Sequence, residues 1–237
     1  MLSPKEEAPR ELDRHLRIPH VGTLLTSTRY EADHRFGLPT IAFLMTPIIL
    51  FTLAAAFTLF APASLKRSSL YRRTQAGLRY LSYKSWKIDF LRWFSPSLGI
   101  LLLGAAGVIF FLAMTLGPQP YYWPNTQTLS FGNSPPLATR AGWMSIACLP
   151  FIFLLGAKEN PITLLTRVSH DQLMVFHRWV SWVMFALALV HTFPFIIYHL
   201  WKGDMYTQWK TSVFYWTGVI AIITQAWLTF MSMPFIR

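Results

Sequence analysis

Five stretches of this sequence, about 39–61, 97–117, 141–157, 174–199 and 212–232, are almost free of charge. Each approaches the roughly 20 residues that a helix needs to cross the hydrocarbon core of a bilayer. In hydrocarbon every backbone N–H and C=O must be paired within the segment, so such stretches fold as helices. Only 13% of the residues are charged, against about 25% in soluble domains. That shortage excludes an ordinary soluble globule. The expected fold class is an all-α integral membrane protein with about five transmembrane helices. The stretch 141–157 is short and contains Pro150, which suggests a kink or tilt, and Pro194 is expected to disturb the fourth helix near its end.

The positions of Lys and Arg set the expected orientation. Residues 64–96 carry Lys66, Arg67, Arg72, Arg73, Arg79, Lys84, Lys87 and Arg92 against Asp89 alone. Residues 118–140 have only Arg140 and are rich in Pro, Asn and aromatics, while 1–38 hold six basic and six acidic side chains. The 64–96 loop is therefore read as cytoplasmic, and the N-terminus and 118–140 as extracytoplasmic. Much of the formal net charge of +11 is then a topology signal, with some affinity for anionic lipid heads and no nucleic-acid partner. The N-terminus MLSPKEEAPRELDRHLR lacks an apolar core, so no cleavable signal peptide is expected. Three regions follow: a tail at 1–38, two helices with the basic loop at 39–129, and three helices at 130–237.

Within the fourth stretch, HRWVSWVMFALALVH at 177–191 places two histidines in an apolar run. Neutral imidazole still carries a donor and an acceptor that hydrocarbon cannot satisfy. Fourteen residues of α-helix turn through 1400°, about 40° short of four turns, and rise about 21 Å. His177 and His191 therefore face one way at two depths. One metal ion cannot bridge that gap, since zinc–nitrogen bonds are about 2 Å. Two stacked b-type haems, each needing an axial imidazole, can use it. A single buried histidine is often a packing residue, but two on one face at this spacing weigh against that. A proton relay wants closer steps and acidic partners, and this helix has neither. Arg178 can snorkel to the phosphate layer or pair with a haem propionate, and both need the same boundary. His170 and His199 sit in interfacial positions and are poorer candidates, while His15, His20 and His34 lie in the tail. The aromatic residues at the helix ends fit an interfacial belt. Cys148 stands alone, so there is no disulfide framework; C-x-x-C-H is absent too, which excludes covalent c-type haem.

The stretch from 134 to 191, with VFYWTGVIAIITQAWLTFMSMPFIR after it, resembles the membrane domain of fungal ferric reductases, relatives of the NADPH oxidases. The elements carrying the resemblance are K-E-N-P-I at 158–162, F-H-R-W at 176–179, Y-W-T-G at 215–218 and S-M-P-F-I-R at 232–237. The likeness implies a haem-binding helical bundle in the plasma membrane. Cytosolic NADPH would reduce FAD, which passes single electrons to an inner and an outer haem b and then to extracellular ferric or cupric chelates. It makes His177 and His191 axial iron ligands and puts Arg178 beside the inner haem.

In such reductases a further helix carries the partner histidine pair, and FAD- and NADPH-binding domains follow. The sequence to Arg237 contains none of these and no G-x-G-x-x-G after a strand, so it is expected to be a fragment or shortened form. Haem and the bilayer are the expected partners, with a full-length reductase subunit as a further one. A superoxide-generating relative and a non-catalytic truncated membrane protein are the alternatives.

Overall fold

The computed structural model describes residues 35–88, 93–119, 121 and 135–233. The tail histidines His15, His20 and His34, most of 118–134, and the end of S-M-P-F-I-R lie outside that range. Five helices are long and apolar enough to cross a membrane: α1 (Gly37–Phe60), α4 (Leu98–Leu116), α5 (Pro136–Gly156), α7 (His170–Lys202) and α9 (Val213–Met231). Shorter elements join them: α2 (Ala63–Arg67), α3 (Ser69–Tyr83), α6 (Pro161–Thr166) and α8 (Met205–Thr211). Among the described residues, β structure is confined to the antiparallel pair Lys87–Ile88 and Trp93–Phe94. The chain is an all-α, multi-pass membrane protein.

Helix α5 is the centre of the packing. In its apolar window 56% of the residues are buried, against 6–17% in the other four spans, and its most extensive interface is with α7. Ala141, Met144 and Cys148 are fully covered, and Phe111 of α4 and Leu187 of α7 close the same cluster. The Ser145 hydroxyl donates across the interface to the Met184 carbonyl at 3.1 Å. The small Ala and Ser positions on α5 let the two backbones approach, which is how helices associate where lipid is as apolar as their side chains. By contrast, Leu53, Phe57, Ile109, Phe214, Ile223 and Trp227 on α1, α4 and α9 are exposed. In a membrane these faces meet acyl chains. Threonines inside the spans satisfy themselves, as Thr46 and Thr52 do by donating to the Ala42 and Ile48 carbonyls at 2.7 Å.

Two expectations about boundaries change. Helix α5 begins at Pro136 and continues past Pro150 for 21 residues, so it is longer than the apolar stretch 141–157. Its early start takes Arg140 out of the loop and into the bundle, where the residue is 2% exposed. The guanidinium lies over the rings of Tyr121 and Phe36, 5.5 and 5.9 Å from their centroids. Such faces attract a cation and cover it. The Tyr121 hydroxyl is itself anchored on the Leu116 carbonyl. Helix α7 is 33 residues long and passes through Pro194 without a break, stopping at Gly203 in the left-handed region (φ 76°). At 1.5 Å per residue it reaches about 50 Å, well beyond the hydrocarbon core of about 30 Å.

The basic loop is also more ordered than a loop. Ser68 caps α3 by accepting from the Tyr71 N–H at 3.2 Å. Beyond it, Trp86 and Ser95 exchange two hydrogen bonds that return the chain to α4.

The K-E-N-P-I segment is the hinge between α5 and α6. Asn160 accepts from the Ile162 N–H at 2.8 Å and donates to the Leu155 carbonyl at 3.2 Å, with Pro161 at the first helical position. Asn160→Ala removes the cap and strands both buried backbone groups, so a loss of about 1–3 kcal/mol is expected. Thermal unfolding in detergent reads it. Asn160→Asp, which keeps the acceptor, should recover part of the loss.

Candidate functional site

His177 and His191 both lean on α5. The ring of His177 bonds through Nδ1 to the Ile152 carbonyl at 2.9 Å, and that of His191 through Nδ1 to the Ala138 carbonyl at 2.8 Å. A carbonyl oxygen only accepts, so each Nδ1 carries a proton, and in the neutral ring Nε2 is then the nitrogen with the lone pair. This is the arrangement in which an imidazole serves as a metal ligand through Nε2, with the other nitrogen oriented by a backbone acceptor. Ala138 and Ile152 are themselves fourteen residues apart on α5. The fourteen-residue step of α7 is thus met by an antiparallel fourteen-residue step on its neighbour. Both rings are partly buried. His191 also meets Phe195 edge-on at 5.3 Å.

Arg178 is half-buried and has no hydrogen-bond or ion-pair partner among the described residues, so its guanidinium is available at the His177 level. Trp179 packs against α4 at Gly104. Trp182 and Phe185 both meet Phe230 of α9, at 5.3 and 5.8 Å between centroids, fixing α9 to the same helix. No group of three or more His, Cys, Asp or Glu capable of holding a metal ion occurs among the described residues.

The outlying histidines stand at the two ends of α7. His170 is its first residue and His199 lies in its last turn. His199 is 4% exposed. Its Nδ1 donates to the Asp204 carboxylate at 2.7 Å, Lys202 reaches the other carboxylate oxygen at 3.2 Å, and the Tyr215 ring crosses edge-on at 5.4 Å. Burial raises the Asp204 carboxyl, but the hydrogen bonds from His199 and Lys202 and their positive charges prevail and hold it below its usual range. A lowered carboxylate contributes stability that is present above its unfolded value of about 3.9 and lost as pH falls through the folded one. Asp204→Asn should therefore lower the melting temperature at pH 7, by an amount that shrinks steadily as pH falls below about 4. A gap that persists in acid would rule out this assignment.

Sequence reasoning placed the histidine pair but missed what holds it. Gly142 and Gly156, also fourteen apart, lie directly beneath the two rings. A search for G-x13-G beside H-x13-H would have found them.

With that geometry in place, the likeness to known proteins becomes specific. Residues 141–237, the part holding most of α5, both histidines and α9, match the family model described as "Ferric reductase like transmembrane component". This membrane bundle belongs to the ferric reductase transmembrane family. The chain is 34% identical over 172 residues (69% of its length) to "Probable cell surface ferric reductase kap2" of Aspergillus oryzae. It is 31% identical over 164 residues (67%) to "Ferric/cupric reductase transmembrane component 7" of Saccharomyces cerevisiae. The alignments cover 22% and 26% of those two proteins, so the chain spans about a quarter of the length of the curated relatives it matches. No solved structure matches it.

Proposed function

We propose that this chain is the part of a metalloreductase that carries electrons across the membrane, with His177 and His191 each holding the iron of one b-type haem. The observation that carries the reading is the duplicated Nδ1–H to carbonyl bond, on Ile152 and on Ala138. It leaves two Nε2 lone pairs on one face of α7, about 21 Å apart along the axis. The donor set fits haem iron: neutral imidazole, one per site, oriented from behind. Haem, when bound, supplies one-electron redox chemistry. The chain's own residues supply ligation and orientation, and the apolar surround of α5, α7 and α9 keeps water from the levels between. Arg178 would neutralise a propionate at the His177 level, as a guanidinium and a carboxylate match in forked geometry.

In the complete protein, NADPH and FAD would feed the His177 level from the cytoplasm, a side supported for that end by the basic residues of 64–96. Ferric or cupric chelates would receive electrons beyond the His191 level, outside the plasma membrane. The names of the two relatives, a ferric and a ferric/cupric reductase, support metal rather than oxygen as acceptor. The test is transport itself. Lipid vesicles holding trapped dithionite and haem-loaded chain should reduce an external ferric chelate faster than vesicles without protein. Equal rates with a chain shown to be folded would end the electron-carrier reading, and superoxide in place of ferrous product would move it to an oxygen-reducing relative.

A further inference from the structure

Helix α5 repeats a device at the same interval as the histidines of α7. At each level it presents a carbonyl and, four residues later, a glycine: Ala138 with Gly142, and Ile152 with Gly156. In an α-helix the carbonyl of residue i points along the axis toward residue i+4. A side chain at i+4 would therefore stand where a ring from the next helix must come in to reach that oxygen. The distances bear this out. A Cβ on residue 142 would lie 2.6 Å from His191 Nδ1 and 2.9 Å from its Cε1. One on residue 156 would lie 2.9 Å from His177 Cε1 and 3.0 Å from its Nδ1. Contacts this short force the ring away. Glycine inside a helix is destabilising relative to alanine, yet it stands at both places where the ring needs the space.

We infer that Gly142 and Gly156 are positioning residues, each admitting one imidazole to an α5 carbonyl and so fixing its plane and its Nδ1–H tautomer. The purpose of this rests on the haem reading above, but the geometry itself does not need haem. Without the glycine, the ring swings out, loses its acceptor, and no longer aims Nε2 along the common face. Other glycines of the bundle supply the comparison. A Cβ on Gly104 would drive into the Trp179 ring at 2.1 Å while touching no histidine, and one on Gly218 would meet nothing within 4 Å.

The test is nitrogen NMR of the full chain, with 15N-labelled histidine, in lipid nanodiscs and without haem. Wild type should show His177 and His191 as neutral Nδ1–H tautomers. Gly142→Ala should shift His191 alone away from that tautomer, and Gly156→Ala should shift His177 alone. Gly218→Ala should change neither ring, and Gly104→Ala should lower the melting temperature while leaving both tautomers intact. Wild-type rings protonated at Nε2 overturn the inference, as does an alanine variant that leaves its own histidine unmoved. Equal disturbance of both rings by Gly104→Ala and the two site variants also overturns it, by reducing the effect to general loosening. Adding haem separates this inference from the reading beneath it. Tautomers that respond as stated in a chain that takes up no haem support the positioning role and refute the ligand role. In a haem-loaded chain each variant should raise the midpoint potential of one haem only, since the lost hydrogen bond makes that imidazole a weaker donor.

Discussion

Replacing His191 with alanine should give a chain that takes up one haem where the wild type takes up two, and replacing His177 should do the same at the other level. The two rings bond to different carbonyls, Ala138 and Ile152, and lie about 21 Å apart along α7, so neither can stand in for the other. Loss of an outer partner of a metal ligand already costs about 10–100-fold in affinity, and loss of the ligand itself should exceed that at the affected level. The remaining haem should keep its reduced spectrum. Transport between vesicle faces should nonetheless fall to the background rate in either variant, because the electron needs both steps. A single variant that lost both haems while staying folded would point to one shared site, contrary to the geometry.

The second large effect concerns the floor between the levels. Met144 is fully buried, with Phe111, Ala141, Cys148 and Leu187 around it, on the stretch of α5 between the two glycines. In a soluble core Met→Ala costs about 2–5 kcal/mol, part transfer and part cavity. Lipid is as apolar as the bundle, so the transfer part largely drops out and the cavity part remains. Met144→Ala should then lose about 2 kcal/mol, read as a lower midpoint in unfolding from detergent micelles. Met144→Leu conserves volume and should lose less than about 1.5 kcal/mol. If the leucine variant proved as damaging as the alanine one, packing at this point would not be what matters.

The sequence reading was most accurate where one physical term dominated. Three spans, Gly37–Phe60, Leu98–Leu116 and Val213–Met231, fall within two residues of the apolar stretches, because hydropathy alone sets their limits. Helix α5 was misjudged because Arg140 reads as a loop charge until Tyr121 and Phe36 are seen to cover it. That contact joins residues from three parts of the chain and leaves no local trace. The His199–Asp204 pair leaves no local trace either, since Gly203 turning the chain back is what brings Asp204 under His199. In α7, Pro194 removes one N–H, yet the helix continues through it to Lys202, as spanning helices tolerate. The histidine pair was legible because its signal is periodicity along a single helix. Its support was not, because a carbonyl has no letter in the sequence and a glycine has many meanings until a ring is found above it.

The central claim is that these two histidines hold two haems, and haem-to-protein stoichiometry tests it most directly. The wild-type chain in nanodiscs, titrated with haem and reduced with dithionite, should saturate at two per chain, each haem held by one imidazole. The double variant His177→Ala/His191→Ala should bind none. Saturation at two that survives the double substitution, or no uptake by folded wild-type protein, would contradict the account.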